Sequence, residues 1–452
     1  MSRYFHFIPI LLIVAVASGC RTVETARQVQ QDRPEVRRNG EHTATAQQAA
    51  LTAGAVHSLA ELEQIALRYN PAVLQAAIAV DQAQLSLEDA RAGYLPTLTA
   101  SAGHSRHTSN TDRHRQGTSN AGSYSGSLNF SLTLYDFGRT AAAVESAQAA
   151  LAAAQADYEE ARNKVVYDLR SAFFAVLRAR DLHAVAQESV QQYREHLEQV
   201  RAKFEVGMGM RYDITKAEVD YHNAQLEEIT TANDMQTGQA RLGQCLGLAE
   251  SADCLLGDFK LKEYQADAEA LMEIARSHSP ALSALRYRID AASAKIDAAI
   301  AQLYPDLSLS LSGSASGRNP AFPWLWNLSG AISVAQNLFN AGYDVRTVEN
   351  AALSLQLARS SYATREQSLY YTVRTTALTL RRAQQQMAVA ALSERSAKEN
   401  LDIVNEKFNL GKASSVERTD AQVAYSSAKA SAVSAYYDYQ DAQASAAYCL
   451  GE

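Results

Sequence analysis

The chain has 452 residues, 47% of them hydrophobic, and a formal net charge of −7 at pH 7. This composition excludes a disordered chain and is sufficient for a large folded body. The mild acidity and the absence of a Lys/Arg-rich run give no reason to expect a nucleic-acid partner. No proline occurs from Thr97 to Ser279 or from Trp324 to Glu452, and since proline breaks helix interiors, these two stretches are suited to very long helices.

The N-terminus has the pattern of an exported lipoprotein. Arg3 gives a positive start, and the apolar run that follows is too short to span a bilayer. The run ends in small residues directly before Cys20, a pattern that resembles the bacterial lipobox, in which the cysteine is lipidated and becomes the mature N-terminus. We therefore predict a lipoprotein signal peptide at 1–19, with an ordinary signal peptide as the alternative.

A lipidated Cys20 would anchor the protein stably, because a multiply acylated cysteine inserts several chains into the membrane. The next residue is Arg21 and not the Asp that favours retention of such lipoproteins in the inner membrane, so we predict the outer membrane. The segment 20–57 is polar and lacks a hydrophobic period, as expected of a tether between the lipid and a folded body.

The rest of the chain contains two copies of one pattern. Matching positions are 209 apart before the hairpins and 204 apart after them: Pro71 and Pro280, Pro96 and Pro305, Gly207 and Gly411, Cys245 and Cys449. The change in spacing indicates an insertion in the first copy. We predict repeat 1 at 58–250, a connector at 251–266 and repeat 2 at 267–452.

Each copy is predicted to contain a helix interrupted at its X-Pro pair, then a β-hairpin, then two long helices. The hairpins are predicted at 97–135 and 306–339. The long helices are predicted at 138–204 and 212–247 in the first copy and at 342–408 and 416–450 in the second.

The long helices show the hydrophobic spacing of a coiled coil. After Gly138, apolar residues recur at steps of three and four from Val144 to Phe204. The step from Val165 to Leu169 is four where three is due, a stutter that locally unwinds a left-handed supercoil. The first such helix would be roughly 100 Å long at 1.5 Å per residue, far more than a helix of a globular protein.

The hairpins alternate apolar and small polar residues. Leu307, Leu309 and Leu311 alternate with serines, a period of two that indicates strands. Each strand is about ten residues long, the length that a tilted β-strand needs to cross a membrane. A soluble coiled-coil rod would explain the helices, but it would not explain membrane-length hairpins between them.

One chain therefore supplies four transmembrane strands, too few to close into a barrel. In lipid a sheet must close, because an open edge leaves backbone groups unpaired in hydrocarbon. Two chains would give eight strands and a filled interior, whereas three would give twelve and four would give sixteen, both compatible with an open pore. The pattern predicts a closed, symmetric oligomer without choosing between three chains and four.

The order of these motifs resembles the TolC-like outer-membrane efflux family, in particular its lipoprotein branch. The resemblance covers about Leu59 to Glu452. It is carried by Asn70-Pro71, Leu95-Pro96, Tyr135-Asp136-Phe137-Gly138, Lys203-Phe204 to Gly207, Asp213, Lys407-Phe408 to Gly411 and the closing Leu450-Gly451. It implies an α+β membrane protein in which a homotrimer shares a twelve-stranded barrel and a long α-helical coiled-coil tunnel in the periplasm.

The function implied by the resemblance is that of the outer-membrane exit duct of a tripartite efflux pump. Such a duct passively conducts small molecules such as drugs after docking to a periplasmic adaptor and an inner-membrane pump. The alternatives are the exit duct of a type I protein secretion system and a periplasmic coiled-coil scaffold lipoprotein. An enzyme, a cofactor and a metal are not expected, because the sequence contains no nucleophile elbow, phosphate loop or zinc motif.

The candidate functional residues lie where the long helices reverse direction. Gly207 and Gly411 suit the turns at helix C-termini that require a positive φ. The resemblance implies that these two turns, with Gly209, Arg211 and Lys412, dock the adaptor.

Acidic residues just past the turns are the second candidate: Glu417, Asp420 and Asp213. The resemblance implies that they ring a closed periplasmic aperture, and Glu417 and Asp420 are three apart on one helical face. In a trimer these two would place six carboxylates around one opening, which would favour cations. Helix capping is the alternative for Glu417 and Asp213, since carboxylates in a first turn interact favourably with the helix dipole.

Cys245 and Cys254 are close enough in the sequence to close a small loop. An exported protein tolerates disulfides, so a bond between them is possible, and free thiols are the alternative.

Overall fold

The computed structural model describes residues 56–109, 119–248, 255–257, 259, 261–318 and 325–451. The predicted signal peptide, Cys20 and Cys254 lie outside the described residues. The described elements in chain order are β1 (Val56–His57), α1 (Leu59–Tyr69), α2 (Pro71–Ala92), β2 (Thr97–Ser109), β3 (Ser119–Tyr135), α3 (Arg139–Glu205), α4 (Arg211–Leu246), β4 (Leu255–Leu256), α5 (Ala268–His278), α6 (Pro280–Ala301), β5 (Asp306–Gly317), β6 (Leu325–Ala335), α7 (Tyr343–Asn409) and α8 (Ser415–Leu450).

The helices of the first half have the same lengths as those of the second half. α1 and α5 have 11 residues each, α2 and α6 have 22, α3 and α7 have 67, and α4 and α8 have 36. Asn70 and Ser279 separate the short helices from the next ones in extended conformation, because a following proline disfavours the helical backbone. Within the described residues, we find no helix with both the length and the apolar character required to cross a membrane.

The described residues fold into two compact units, and each contains parts of both predicted repeats. The sheet unit comprises Ala79–Gln155 and Ala284–Tyr362. The helical unit comprises 56–78, Ala156–Ser283 and 363–451. Because α3 and α7 each contribute to both units, the compact units do not coincide with the segments 58–250 and 267–452.

In the sheet unit, four antiparallel strands form one sheet in the order β2-β3-β5-β6. The central pair, β3 and β5, joins the two hairpins. Leu309 of β5 lies opposite Leu132 of β3 on one side and opposite Ile332 of β6 on the other. Because alternate residues of a strand face opposite sides, this register gathers apolar side chains on one face of the sheet.

The opposite face of the same sheet is lined by small hydroxyl side chains. They pair across neighbouring strands, with Oγ–Oγ distances of 2.7 Å for Ser101 and Ser127, 3.0 Å for Ser308 and Ser333, and 2.8 Å for Ser312 and Ser329. The period of two in the sequence therefore produces a sheet with one apolar and one hydroxyl-rich face.

A tight turn connects β3 to α3 at the end of the sheet. Gly138 adopts a φ of +89°, and the amide of Thr140 donates to Oδ2 of Asp136 at 2.8 Å, which caps the first turn of α3. Arg139 then forms an ion pair with Asp306 at 3.1 Å, from the first residue of α3 to the first residue of β5. Together these contacts fix the direction in which α3 leaves the sheet.

The helical unit has its largest core around the middle of α3. Leu169, Phe173 and Phe174 are fully buried there and pack with Leu62 of α1 and Leu242 of α4. Aromatic and leucine side chains contribute roughly 1.5–3 kcal/mol each when fully buried. Smaller clusters lie further along the long helices: Leu380, Ala383, Ala442 and Ala446 form one, and Leu401, Ala421 and Tyr425 form another.

Gly247 is the C-cap of α4 and packs against the break between α1 and α2. It has a φ of +77°, and a Cβ atom added to it would lie 2.8 Å from the carbonyl oxygen of Tyr69. The side chain of Asn70 donates to the carbonyl of Cys245 at 2.7 Å. The αL conformation and the close backbone approach both require glycine at this position.

We expect Gly247→Ala to destabilise the protein more than Gly207→Ala. Gly207 has nearly the same φ, +78°, but no atom lies within 4 Å of its added Cβ. Both substitutions carry the cost of a left-handed alanine, about 1–2 kcal/mol, whereas only Gly247→Ala adds steric overlap, about 1–3 kcal/mol more. The measurement is thermal unfolding followed by helical circular dichroism; equal shifts of the two variants would contradict the close approach at Gly247.

Candidate functional site

The first turn (206–210) joins α3 to α4. Its Gly207 adopts a φ of +78°. The amide of Gly207 donates to the carbonyl of Phe204 at 3.0 Å, and the amide of Met208 donates to the carbonyl of Lys203 at 2.8 Å. This pair of bonds is a Schellman motif, which satisfies the last carbonyl groups of α3 and explains the glycine.

The second turn (410–414) joins α7 to α8 with the same geometry. Gly411 has a φ of +71°, its amide donates to the carbonyl of Phe408 at 3.1 Å, and the amide of Lys412 donates to the carbonyl of Lys407 at 2.8 Å. The two turns therefore share the same backbone hydrogen-bond pattern, and any functional difference between them must come from side chains.

The helices after both turns begin with a carboxylate cap. In α8, the amide of Glu417 donates to Oγ of Ser414 at 3.1 Å, and the amide of Ser414 donates back to Oε2 of Glu417 at 2.8 Å, a capping box. In α4, the amide of Met210 donates to Oδ2 of Asp213 at 3.2 Å. Capping, the alternative interpretation of Glu417 and Asp213, is thus a role that both carboxylates have in the structure.

Glu417 and Asp420 lie together in a surface groove of about 410 Å³ beside the second turn. The groove is also lined by Lys407 of α7 and by Lys412 of the turn. Asp213 lies at the start of α4 and does not line this groove. The structure therefore brings together two of the three predicted aperture residues, next to two lysines.

The predicted docking residues lie at the surface of the turns. Arg211 and Lys412 are exposed, as are Gly207 and Gly411, whereas Gly209 is half-buried. A Cβ atom added to Gly209 would lie 3.1 Å from the backbone nitrogen of Phe204 in α3. The first turn also exposes three large apolar side chains, Val206, Met208 and Met210, and Tyr212 at the start of α4 is exposed beside them. None of the four is among the residues predicted from the sequence.

Arg418 is the centre of a polar network that no local pattern in the sequence indicates. Its guanidinium donates to Nδ1 of His196 at 2.9 Å, to Oε1 of Gln199 at 2.6 Å and to Oδ1 of Asn405 at 2.9 Å. Nε2 of His196 lies 3.1 Å from Oγ of Ser415. The network joins α3, α7 and α8 directly after the second turn, as Ser415 is the first residue of α8.

Phe408 is buried against this network. Nζ of Lys203 lies 3.6 Å from the centroid of its ring, Cζ of Arg418 lies 5.1 Å from it, and the His196 ring meets it edge-on with centroids 5.9 Å apart. Cations over an aromatic face are attracted by its quadrupole, so the ring stabilises both positive groups. The equivalent Phe204 of the first turn is 43% exposed, which makes the two turns chemically different.

Burial and charge change the proton affinities in the network. Burial, together with the positive charges of Arg418 and Lys203, lowers the pKa of His196 from 6.5 to about 4. Burial also lowers the pKa of Arg418, but an arginine remains protonated in proteins. At pH 7 the network therefore contains a neutral imidazole and a charged guanidinium.

Beyond this network, α3 and α8 continue to meet through polar pairs. Ser189 bonds Ser426 at 3.1 Å, and Tyr437 donates to Asp181 at 2.6 Å. Further pairs along the same two helices are Gln192 with Gln422, Glu188 with Lys429, and Arg178 with Asp438. Such pairs contribute modestly to stability but fix the register of the two helices.

Sγ of Cys245 lies 3.7 Å from the carbonyl oxygen of Asp168. Because Cys254 lies outside the described residues, the bond between them stays a prediction. In the part of the chain that the structure describes, no three His, Cys, Asp or Glu side chains are grouped so as to hold a metal ion.

Comparisons with solved structures identify the fold. The outer-membrane channel CmeC of Campylobacter jejuni has a TM-score of 0.76 at 19% identity, covering 87% of this chain and 85% of that one. The open state of the MtrE outer-membrane channel of Neisseria gonorrhoeae has a TM-score of 0.74 at 22% identity, covering 87% and 88%. Both share the architecture of long helices with a small antiparallel sheet.

Comparisons of sequence identify the family. The outer membrane protein TolC of Vibrio cholerae is 26% identical over 402 residues, which are 84% of this chain and 88% of that protein. Nodulation protein T of Rhizobium leguminosarum bv. trifolii is 28% identical over 252 residues, 55% and 53% of the two chains. The model of the family described as "Outer membrane efflux protein" matches residues 62–248 and 271–452. Because this match covers most of the sequence, the chain belongs to the outer membrane efflux protein family.

Proposed function

We propose that the protein is the outer-membrane exit duct of a tripartite efflux pump and that three chains close one shared twelve-stranded barrel. A tunnel of coiled-coil helices would continue from the barrel into the periplasm. The observation that carries this proposal is the two-faced sheet. The chain's membership in the outer membrane efflux protein family favours an efflux channel over a type I secretion duct or a periplasmic scaffold.

The apolar face of the sheet supports a location in lipid. On β6, Trp326, Leu328, Ile332 and Val334 alternate with small or polar residues, and each of the four is at least 69% exposed in the single chain. A sheet in a water-soluble protein covers such a face with another layer. Lipid is the environment that satisfies an uncovered apolar face of 11- to 17-residue strands, with the hydroxyl-rich face turned to a water-filled lumen.

The free edges of the sheet support closure by further copies. β2 and β6 are the two outermost strands of the four. Their unpaired backbone groups cannot remain in hydrocarbon, so each chain must pair its β6 with the β2 of a neighbour. Head-to-tail pairing of this kind generates a ring, and three chains give twelve strands, enough for an open pore.

Unpartnered faces of the helical unit support the same arrangement. α4 exposes an apolar stripe at coiled-coil spacing that includes Val219, Leu226 and Ile229. α7 exposes another that includes Leu378, Val389, Leu392 and Ile403. Since α3 packs between α4 and α8, and α8 packs on α7, the two stripes lie on the outer helices of the set. In a ring, α4 of one chain would meet α7 of the next.

The turns are proposed to serve the periplasmic end of the duct. Gly207, Gly209 and Arg211, with Gly411 and Lys412, would dock the adaptor and through it the inner-membrane pump. The exposed apolar side chains of the first turn support this assignment, because exposed apolar patches mark interaction sites. Glu417 and Asp420, together with Asp213, would ring the closed aperture.

Two further proposals complete the function. Cys20 would be lipidated and would add an anchor in the outer membrane to the barrel. The chain would carry out no catalysis of its own, because membership in a family of channels supports passive conduction. No nucleic-acid partner is proposed.

The two faces of β6 are tested by Ile332→Arg with Ser333→Arg as its matched control. Ile332 would face lipid, where an arginine costs about 2–4 kcal/mol at mid-depth, whereas Ser333 would face the aqueous lumen. We expect Ile332→Arg to reduce the amount of protein in the outer-membrane fraction strongly. Ser333→Arg should remain in that fraction and alter single-channel conductance in planar bilayers.

Membrane insertion of both arginine variants at wild-type levels would contradict the proposed barrel. Wild-type protein that never conducts in bilayers, or that migrates only as a monomer in mild detergent, would contradict the duct itself.

The acidic aperture is tested by the double variant Glu417→Gln/Asp420→Asn. A glutamine at 417 keeps an acceptor for the Ser414 amide, so the cap survives while six negative charges per trimer are removed. We expect cation selectivity to be lower than in wild type, which would appear as a smaller reversal potential in a salt gradient. The control Asp402→Asn/Glu406→Gln removes the same charge from exposed positions of α7 outside the groove. Equal reversal potentials for the two double variants would count against the ring.

A further inference from the structure

We infer that His196 and Arg418 form a proton-sensitive latch that holds the second turn against α3 at neutral pH and releases it in acid. The inference rests on the proposed function and concerns its regulation. It starts from geometry: a buried imidazole, an arginine that donates to it, and the start of α8, which both side chains hold in place.

The hydrogen bonds of the network are compatible only with the neutral form of His196. Arg418 has donors and no acceptor, so the Nδ1 atom 2.9 Å away must be unprotonated. Nε2 then carries the ring hydrogen and donates to Oγ of Ser415 at 3.1 Å. A proton added to Nδ1 would point at the guanidinium, so the Arg418–His196 bond would be lost.

The charges around the imidazole also oppose its protonation. The charged side chains that act on the ring are Arg418 of α8, Lys203 of α3, and Lys216 and Asp213 of α4. The side chains that α7 contributes here, Asn405 and Phe408, carry no charge. Three cations therefore face one anion, and an imidazolium in this site would be repelled on balance.

The direction of the pH effect follows from the two states. In the latched state the pKa of His196 is lowered to about 4, whereas a water-exposed histidine has a pKa near 6.5. The released state thus binds more protons, and release becomes more favourable as the pH falls below 6.5, with the full effect near pH 4. Between pH 7.5 and pH 5 the equilibrium shifts toward release by about 30-fold for each latch, if release exposes the ring fully to water.

The latch acts on the part of the chain that carries the proposed aperture. Ser415 and Arg418 flank Glu417 in the first turn of α8, and Asp420 follows within the next turn. Arg418 also donates to Asn405, which ties the end of α7 to the same point. Loss of the bonds to His196 would therefore loosen the second turn from α3, leaving the Arg418–Gln199 bond and the contact of Lys203 with Phe408 as the nearest remaining ties.

The test compares wild type with His196→Gln in planar bilayers, using the full-length protein and varying the pH from 7.5 to 5 on the periplasmic side. Glutamine offers one acceptor to Arg418 and one donor to Ser415 but does not titrate in this range. The matched control is His183→Gln on the same helix, because His183 bonds Thr231 and Gln187 and is not one of the hydrogen-bond partners of Arg418.

We expect the open probability of wild type and of His183→Gln to rise by about tenfold or more on acidification, and that of His196→Gln to stay nearly constant. Arg418→Gln, which removes the charged donor, should already be more open at pH 7.5. A rise in His196→Gln equal to that of wild type, or a wild-type channel that conducts without any pH dependence, would overturn the latch. Because His196→Gln retains Glu417 and Asp420, it shows whether carboxylate titration alone causes the rise.

Hydrogen exchange separates failure of the latch from failure of the duct, since it does not require conduction. Backbone amides of residues 414–422 should lose protection at pH 5 in wild type but not in His196→Gln, after correction for intrinsic exchange rates. Amides of the α3 core at 169–177 should keep their protection in both. Unchanged protection of 414–422 in wild type would overturn the latch, even in a protein that forms channels.

Discussion

The unpaired edges of the four-stranded sheet are the constraint on which the rest of the molecule depends. One chain supplies four strands, so in the proposed barrel β2 and β6 would pair with strands of other copies. Once the strands form a ring, the helices that continue from them are brought side by side as well. In that ring, the apolar stripe on α4 of one chain would pack against the stripe on α7 of the next.

The hydrophobic periodicity of the sequence predicted the bounds of the long helices closely. The helix predicted at 138–204 is Arg139–Glu205, and the one predicted at 342–408 is Tyr343–Asn409. Glycine spacing predicted both turns, because the Schellman geometry has a local signature. These features depend on residues a few positions apart, and a single sequence carries that information.

Pairings between distant segments could not be predicted in the same way. Arg418 and His196 are 222 positions apart, and nothing in the spacing of either residue identifies the other. The pairing of β3 with β5 and the polar contacts of α8 with α3 are equally non-local. Glu417 shows a related limit, because its sequence position fits both a cap and an aperture. Its hydrogen bonds with Ser414 show the cap, and its side chain remains exposed.

The different side chains on two identical backbone turns have an evolutionary consequence. After a duplication, each copy of an element is free to specialise while the other retains the original task. Here the copy that ends α3 presents sulfur-containing and aromatic groups outward, whereas the copy that ends α7 keeps its phenylalanine inside between two cations. If the first turn docks the partner and the second turn opens the channel, as proposed, substitutions that change partner choice would accumulate in the first turn without altering the second, and a lineage would exchange one pump for another while its channel keeps the same means of opening.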